Sequence, residues 1–404
     1  MYSVYQHWDP LKVCIVGKSY PPEFYSFITN ARARTVMERI AVETEEDYQK
    51  LVTLLESFGV TVLRPTVGKY YRDYLNSAGN IRPPPMTPRD YTMMLGGEFF
   101  FNAHSDHLTL LPRLRESWLS WSGASWPTCP TTMEEFNLLP AAIKQEICEI
   151  GQINLDNDQT CRLDRLQGID KIVWGDVVSH IDENTAGTYN RVPWYLHNIN
   201  SAAYTRIGKD IYVGTSIYGE DLSKQVNALT ENYQNYRWHA VDTGGHSDGT
   251  YCPVKPGLIV SLKDIPTYEN TFPGWEVIYL PGQSWSKVHS FLELKEKNKG
   301  KWWVPGEELN DDFTNFVESW LSHWVGYVEE TVFDVNMLVI NEQNVVCNNY
   351  NKDVFDAFSR HGITPHIVNF RHRYFWDGGL HCITSDVHRA GKIADYFPLR
   401  NSQN

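Results

Sequence analysis

The sequence predicts an α/β fold built from repeated strand–helix–strand units. Short β-branched runs that end in glycine or proline alternate with segments whose apolar residues recur at helical spacing. The order helix end, glycine, strand occurs as F-G-V-T-V-L-R-P at residues 58–65 and as H-G-I-T-P-H-I-V at residues 361–368. Because these copies lie near opposite ends of the chain, a closed ring of such modules would bring them together.

The N-terminal part of the chain contains four predicted strands and one predicted helix. Residues 12–17 (K-V-C-I-V-G) are typical of a buried strand, and residues 60–63 of a second strand that Pro65 ends. Between them, apolar residues at helical spacing predict a helix over 44–58, with Thr44 as its N-cap. The apolar stretch 91–101 predicts two strands around the glycine pair at 96–97.

The remainder of the chain continues the alternation. Strands are predicted at 210–215, 257–262, 275–280, 336–340, 344–347 and 363–368. Helices are predicted at 221–233, 312–324 and 352–361, with a short helical segment at 141–150 inside a tryptophan-rich stretch.

Composition excludes several classes of protein. The formal net charge of -13 and the lack of basic runs argue against a nucleic-acid or anionic-membrane partner. No apolar run approaches the ~20 residues of a membrane helix, and the N-terminus lacks the pattern of a signal peptide. The seven cysteines are scattered and never form a C-x-x-C pair, so neither a metal site nor a disulfide framework is expected. We expect a protein of a reducing compartment, the cytoplasm.

A candidate nucleophile lies in the segment W-D-G-G-L-H-C-I-T-S-D-V-H-R at residues 376–389. Cys382 follows His381 and a glycine pair, and Thr384 comes two residues later. Glycines let the backbone approach a bound group closely. A thiolate is a strong nucleophile for an electron-poor carbon when a base or a nearby positive charge activates it. A free cysteine is, however, more often a small buried hydrophobic residue.

Two further segments carry groups that suit proton transfer and charge pairing. In G-G-H-S-D-G-T, His246 and Asp248 are two residues apart and would point to the same side of an extended chain. In M-T-P-R-D, Asp90 precedes an apolar strand and suits either a cationic substrate or a turn. A glycine-rich turn with an incidental histidine is the alternative for the first segment.

These segments together resemble the amidinotransferases, the family of L-arginine:glycine amidinotransferase in the pentein superfamily. The resemblance extends from Trp8 to about Tyr396 in separate blocks. The most specific blocks are H-S-D-G-T at 246–250 and G-G-L-H-C-I-T-S-D-V-H-R at 378–389. Corroborating blocks are W-D-P-L-K-V-C-I-V-G at 8–17, G-V-T-V-L-R-P at 59–65, M-T-P-R-D at 86–90 and R-I-G-K-D-I-Y at 206–212.

The resemblance implies a fold, an α/β-propeller of five ββαβ modules around a central channel, and a set of catalytic residues. Cys382 matches the nucleophile and His246 the general acid/base, while Asp248 and Asp90 match the carboxylates that hold a guanidinium group. Asn200 stands where the family has the aspartate that partners the catalytic histidine. An amide stabilises an imidazolium less well than a carboxylate does.

The neighbours of these residues, Arg89, His381 and Thr384, complete the predicted substrate-binding set. The resemblance further implies one catalytic domain over residues 1–404, with atypical insertions near 117–194 and 284–330. It implies a homodimer that uses small-molecule substrates and no cofactor or metal.

The expected reaction moves the amidino group of L-arginine, through an amidino-cysteine on Cys382, to a primary amine such as glycine, and releases ornithine. The sequence does not identify the amine. Two alternatives stay open at this point: an arginine hydrolase of the same superfamily, and a pentein protein that binds without catalysis.

Overall fold

A computed structural model of the chain describes residues 2–64, 84, 86–90, 92–101, 171–174, 180–182, 189–190, 201–214, 222–241, 243, 246–262, 268–280, 283, 304–321, 325 and 334–402. The predicted helix at 141–150, most of both predicted insertions and Asn200 lie outside these residues. Within the described part, no helix is long and apolar enough to cross a membrane. The single domain, the homodimer and the cytoplasmic location stay predictions.

The helices of the described chain differ widely in length. They are α1 (Ala31–Ser57), α2 (Leu222–Asn232), α3 (Tyr268–Thr271), α4 (Asp311–Trp320), α5 (Lys352–Arg360) and α6 (Arg373–Trp376). Short 3₁₀ turns occur at Pro22–Phe27, Pro88–Asp90, Ser201–Ala203, Ser247–Gly249 and Pro398–Ser402. Two of these turns, Pro88–Asp90 and Ser247–Gly249, carry predicted site residues.

The strands of the described chain are mostly four to six residues long. They are β1 (Leu11–Val16), β2 (Thr61–Leu63), β3 (Thr92–Leu95), β4 (Glu98–Phe101), β5 (Lys171–Trp174), β6 (His180–Asp182), β7 (Tyr189–Asn190), β8 (Tyr204–Ile207), β9 (Asp210–Gly214), β10 (Arg237–Val241), β11 (Tyr251–Lys255), β12 (Leu258–Ser261), β13 (Glu276–Tyr279), β14 (Leu338–Asn341), β15 (Asn344–Cys347), β16 (Thr364–Ile367) and β17 (Thr384–Arg389). The predicted strands that fall on described residues are confirmed to within about two residues at their ends. The sequence-based prediction missed β5, β6, β7, β8, β10, β11 and β17.

One connection pattern repeats in the five sheets that the described strands form. In each sheet a first strand pairs antiparallel with a second, and the second pairs parallel with a third. A helix lies between the second and third strands in β8-β9-α2-β10, β11-β12-α3-β13 and β14-β15-α5-β16. The predicted repetition of one α/β unit is therefore confirmed, and the unit is ββαβ.

The remaining two sheets are the one that begins with β3 and β4 and the one that joins the chain ends. In the latter, β17 pairs antiparallel with β1, with Leu11 opposite Arg389 and Val16 opposite Thr384. The crossover α1 then connects β1 to the parallel strand β2. The C-terminal strand thus completes a module whose other elements are N-terminal.

The start of α1 differs from the prediction. The helix begins at Ala31 rather than at Thr44, because its buried face continues toward the N-terminus through Val36, Met37 and Ile40. Thr44 lies in mid-helix and is buried, and its Oγ1 accepts a hydrogen bond from Trp376 Nε1 at 2.8 Å. The helix therefore fixes the segment that leads into the nucleophile turn.

The N-cap of α1 is Asn30, whose Oδ1 accepts hydrogen bonds from the backbone N–H groups of Arg32 at 3.0 Å and Ala33 at 3.1 Å. We expect Asn30→Ala to lower the free energy of unfolding by about 1 kcal/mol, because two N–H groups lose their acceptor. Urea denaturation measures this change. Asn30→Asp, which retains a capping oxygen, should stay close to the wild type, and equal losses for the two variants would contradict the assignment of the cap.

Among the described residues, the buried core contains three apolar clusters, and the largest of them anchors the nucleophile segment. This cluster packs the buried face of α1 against β1, β14 and α4. Phe375, Trp376, Leu380 and Ile383 belong to it, and all four are at most 4% exposed. The residues on both sides of the glycine pair and of Cys382 are therefore held in the core.

Candidate active site

The nucleophile turn lies between α6 and β17. It starts at Asp377, which adopts a left-handed conformation with φ of 52°. The backbone N–H of Ile383 donates to the Gly379 carbonyl at 3.0 Å, and that of Thr384 donates to the His381 carbonyl at 3.1 Å. Cys382, at the turn, is 1% exposed.

The two glycines allow other parts of the protein, rather than a bound molecule, to approach the turn. A Cβ on Gly379 would lie 2.5 Å from Asn336 Oδ1, and one on Gly378 would lie 3.1 Å from both Thr87 Cγ2 and Ile383 Cγ2. The sequence-based interpretation had assigned this space to a ligand. The side chain of Asn336 occupies it on the Gly379 side.

Asn336 contacts the turn at three atoms, and sequence reasoning did not identify it. Its Oδ1 accepts hydrogen bonds from the backbone N–H groups of His381 at 2.8 Å and Cys382 at 3.2 Å. Its Nδ2 donates to Cys382 Sγ at 3.0 Å. Asn336 lies just before β14, as the one polar residue in the apolar stretch V-N-M-L-V-I at 335–340, and no neighbouring motif marks it in the sequence.

Asp248 reaches the same sulfur from a different turn. Its Oδ2 accepts a hydrogen bond from the Cys382 thiol at 3.6 Å and lies 2.7 Å from His381 Nδ1. The segment is a 3₁₀ turn at Ser247–Gly249 and not the extended chain that the sequence predicted, so the alternation argument for His246 and Asp248 was wrong. The Ser247 hydroxyl fixes this turn by donating to the Ala203 carbonyl at 3.0 Å.

Burial and charge set the protonation states of the Asp248–His381 pair. Burial, reinforced by the nearby Arg89 charge, lowers the pKa of His381 to about 4 in spite of the opposing effect of Asp248. Burial alone would raise the pKa of Asp248, but the hydrogen bond from His381 and the neighbouring positive charges hold it below its ordinary value. At neutral pH the pair therefore consists of a carboxylate and a neutral imidazole that donates from Nδ1.

The lowered pKa of His381 makes the free energy of unfolding depend on pH. Between about pH 6.5 and pH 4 the unfolded chain binds a proton on this histidine and the native chain does not. The native state should therefore lose stability as the pH falls through this window, by about 2–3 kcal/mol from His381. Urea denaturation at pH 7 and pH 4.5 measures the loss.

The matched variant for this test is His381→Asn, which keeps a donor near the position of Nδ1 but does not titrate. Its loss of stability between the two pH values should be smaller than that of the wild type. Since His7 is also buried with a pKa well below its ordinary value, a residual loss is expected. The same pH dependence in both proteins would contradict the assignment.

Arg89 lies in a buried cluster behind the turn and not beside an open site, contrary to its predicted place in the substrate-binding set. It is 0% exposed, its Nε donates to the His381 carbonyl at 2.8 Å, and its Nη1 donates to Asp386 Oδ1 at 3.1 Å. Arg206 and Arg389 contact the same carboxylate at 2.8–3.0 Å. These three charges hold the pKa of Asp386 well below its ordinary value, against the effect of burial.

Thr384 is also engaged within the turn. Its Oγ1 lies 2.9 Å from the Leu380 carbonyl and 3.1 Å from the His381 carbonyl, and the side chain is buried. The structure thus gives Thr384 contacts that hold the nucleophile turn in shape. Substrate binding by this residue stays a prediction.

Asp90 ends the 3₁₀ turn Pro88–Asp90, which lies next to the nucleophile. The backbone N–H of Arg89 donates to the Cys382 carbonyl at 3.4 Å, and that of Asp90 donates to the Thr87 carbonyl at 3.0 Å. Oδ1 of Asp90 and Oδ1 of Asp248 are both buried without a hydrogen-bond partner among the described residues. His246 is partly exposed at the start of the Asp248 turn.

The other cysteines of the described chain lack these surroundings. Cys14, Cys252 and Cys347 are buried free thiols. Burial raises the pKa of Cys14 and of Cys252 to about 12 and that of Cys347 higher still. They are therefore poor nucleophiles at neutral pH. No group of three or more metal-ligating side chains occurs among the described residues.

Comparisons with known proteins find amidinotransferases that match this chain over nearly its whole length. Glycine amidinotransferase, mitochondrial, from Xenopus tropicalis is 20% identical, over 97% of this chain and 84% of that protein. Inosamine-phosphate amidinotransferase 1 from Streptomyces glaucescens is 22% identical, over 98% of both chains. The solved structure of SxtG, an amidinotransferase of saxitoxin biosynthesis from Microseira wollei, superposes with a TM-score of 0.54 and 17% identity, over 98% of this chain and 99% of that one. No protein-family model matches the chain.

The chain is therefore an enzyme of the amidinotransferase type, in agreement with the resemblance of its motifs. Its fold is the pentein fold of the solved amidinotransferase structures. The relatives extend along nearly the whole sequence, so the agreement does not depend on the nucleophile segment alone.

Proposed function

We propose that this enzyme transfers the amidino group of L-arginine to a primary amine through a covalent intermediate on Cys382. The observation that carries the proposal is the position of the Cys382 sulfur, 3.0 Å from the Asn336 amide and 3.6 Å from the Asp248 carboxylate. The pairing of a nucleophilic sulfur with an ionised carboxylate suits a cationic substrate with an electrophilic carbon.

Two carboxylates are available to bind the guanidinium group. Asp248 and Asp90 each have a buried Oδ1 without a hydrogen-bond partner in the described chain. An acceptor of this kind is costly to bury unless a donor reaches it. A guanidinium presents five N–H donors in a planar fork and would supply such donors to both side chains.

In the first half-reaction, the thiol proton of Cys382 passes to His246 and the sulfur bonds to the guanidinium carbon. The bond from that carbon to the departing nitrogen breaks, and His246 delivers the proton to this nitrogen. Ornithine leaves, and the amidino group stays on the sulfur. A positioned acid/base of this kind contributes about 10²–10⁴-fold.

In the second half-reaction, the amine acceptor gives a proton to His246 and bonds to the amidino carbon. The carbon–sulfur bond then breaks, and His246 returns the proton to the sulfur, which restores the thiol. The relatives are named for amines as different as glycine and an inosamine phosphate, which supports a primary amine as the acceptor class. Ping-pong kinetics are expected.

Turnover with a panel of amines tests this function. The purified protein is incubated with L-arginine alone and then with glycine, L-lysine or an amino-cyclitol phosphate, while ornithine and the guanidino product are measured. We expect ornithine release to stop after one equivalent with arginine alone and to continue when the right amine is present. Continuous release of citrulline or urea without an amine would instead establish hydrolysis.

A further inference from the structure

We infer that Asn336 is a catalytic residue, whose Nδ2–H group stabilises the Cys382 thiolate while its Oδ1 fixes the turn that carries the sulfur. The inference rests on the proposed function, since it takes Cys382 as the nucleophile. Both ends of the Asn336 carboxamide contact Cys382. Its Nδ2 lies 3.0 Å from Cys382 Sγ, and its Oδ1 accepts a hydrogen bond from the Cys382 backbone N–H at 3.2 Å.

The hydrogen-bond network determines which end of the amide faces the sulfur. Oδ1 accepts from two backbone N–H groups, those of His381 and Cys382. The flipped amide would place NH₂ donors against these two N–H donors and an oxygen against Sγ. The orientation with Nδ2 toward the sulfur is therefore required by donor and acceptor chemistry.

The sulfur needs such a donor because of its other neighbour. The Asp248 carboxylate lies 3.6 Å from Sγ and accepts a hydrogen bond from the thiol, an arrangement that favours the protonated form. When the thiol loses its proton, a negative charge stands beside an ionised carboxylate. A donor that faces the sulfur stabilises the thiolate against this repulsion until the cationic substrate arrives.

The position of Asn336 is firmly fixed. The residue is 0% exposed, and its backbone carbonyl accepts a hydrogen bond from Asn348 Nδ2 at 3.3 Å. A Cβ on Gly379 would lie 2.5 Å from Asn336 Oδ1, so only glycine at position 379 leaves enough space for the Asn336 side chain. The same amide also donates to the Asp248 carbonyl at 3.4 Å, which links the two turns that carry the reacting groups.

The test uses Asn336→Asp, which keeps an acceptor for the two N–H groups and replaces the donor by a carboxylate oxygen. The pH dependence of Cys382 alkylation by iodoacetamide is followed by peptide mass spectrometry, without arginine. We expect the midpoint to move to higher pH by about one unit or more, because a second negative charge opposes the thiolate. Asn351→Asp, at the N-cap of α5, is the matched control and should leave the midpoint unchanged.

An alkylation profile of Asn336→Asp that coincides with the wild type would overturn the inference, because a carboxylate oxygen in place of Nδ2, 3.0 Å from the sulfur, must oppose the thiolate if the two groups interact. Circular dichroism checks that the variant is folded. If it is not, Asn336→Ala replaces it: its midpoint should also rise, and an unchanged midpoint counts against the inference. Since alkylation needs no substrate, failure here is distinguishable from failure of the amidino-transfer function, which would appear as absent ornithine release in the wild type.

Discussion

Asp248→Asn should lower the rate of amidino transfer by roughly 10²–10³-fold. The variant loses the negative charge beside the sulfur, which is the charge partner of His381 and the proposed partner of the guanidinium group. Removing one member of a buried, hydrogen-bonded charge pair typically costs about 2–5 kcal/mol, and the middle of that interval, about 3–4 kcal/mol, corresponds to 10²–10³-fold. Single-turnover release of ornithine from arginine measures the effect on the first half-reaction.

The control for this prediction is Asp353→Asn, the same chemical change at an exposed position in the first turn of α5. It should retain wild-type activity. Ornithine release by Asp248→Asn within a factor of three or so of the wild type would show that the guanidinium is held by other groups.

Asp386→Asn is expected to have the largest effect on stability. Asp386 is 1% exposed and is the carboxylate around which Arg89, Arg206 and Arg389 pack, each of them at most 1% exposed. Its loss leaves three buried guanidinium groups without their counter-charge. Breaking a buried ion pair on one side costs about 3–5 kcal/mol, so the urea midpoint should fall steeply.

The matched control is Asp356→Asn, which removes the exposed ion pair with Lys352 on α5. Exposed pairs contribute about 0–1 kcal/mol, so little change is expected. Similar midpoints for Asp386→Asn and Asp356→Asn would contradict the counter-charge role of Asp386. The cluster matters for the site because Arg89 also binds the His381 carbonyl next to the nucleophile.

Local sequence signals predicted much of this fold. Strands such as β1, β12 and β15 are dense in β-branched residues and end at glycine or a polar turn, so their positions could be read directly. By contrast, β17 contains Ser385, Asp386, His388 and Arg389, a polar composition that does not indicate a buried strand. It is a strand because β1 pairs with it and because its charged side chains find partners inside the protein.

The residues of the candidate site also differ in whether the sequence predicts them. Cys382 and Asp248 could be predicted because the segments that carry them, G-G-L-H-C-I-T-S-D-V-H-R and H-S-D-G-T, resemble motifs of the amidinotransferases. Asn336 could not, since its importance arises from three contacts across 45 or 46 positions of sequence. Arg89 was misassigned because an arginine next to Asp90 gives no sign, in sequence, of the buried carboxylate that it pairs with.

The measurement that tests the central claim most directly is the mass of the intact protein after incubation with L-arginine and no acceptor. We predict the added mass of one amidino group, located by peptide mapping on Cys382, together with one equivalent of ornithine. Cys382→Ser should show no adduct, while Cys252→Ser, at a buried thiol whose pKa is raised to about 12, should retain it. An unmodified wild-type protein, or an adduct on any other residue, would contradict the account.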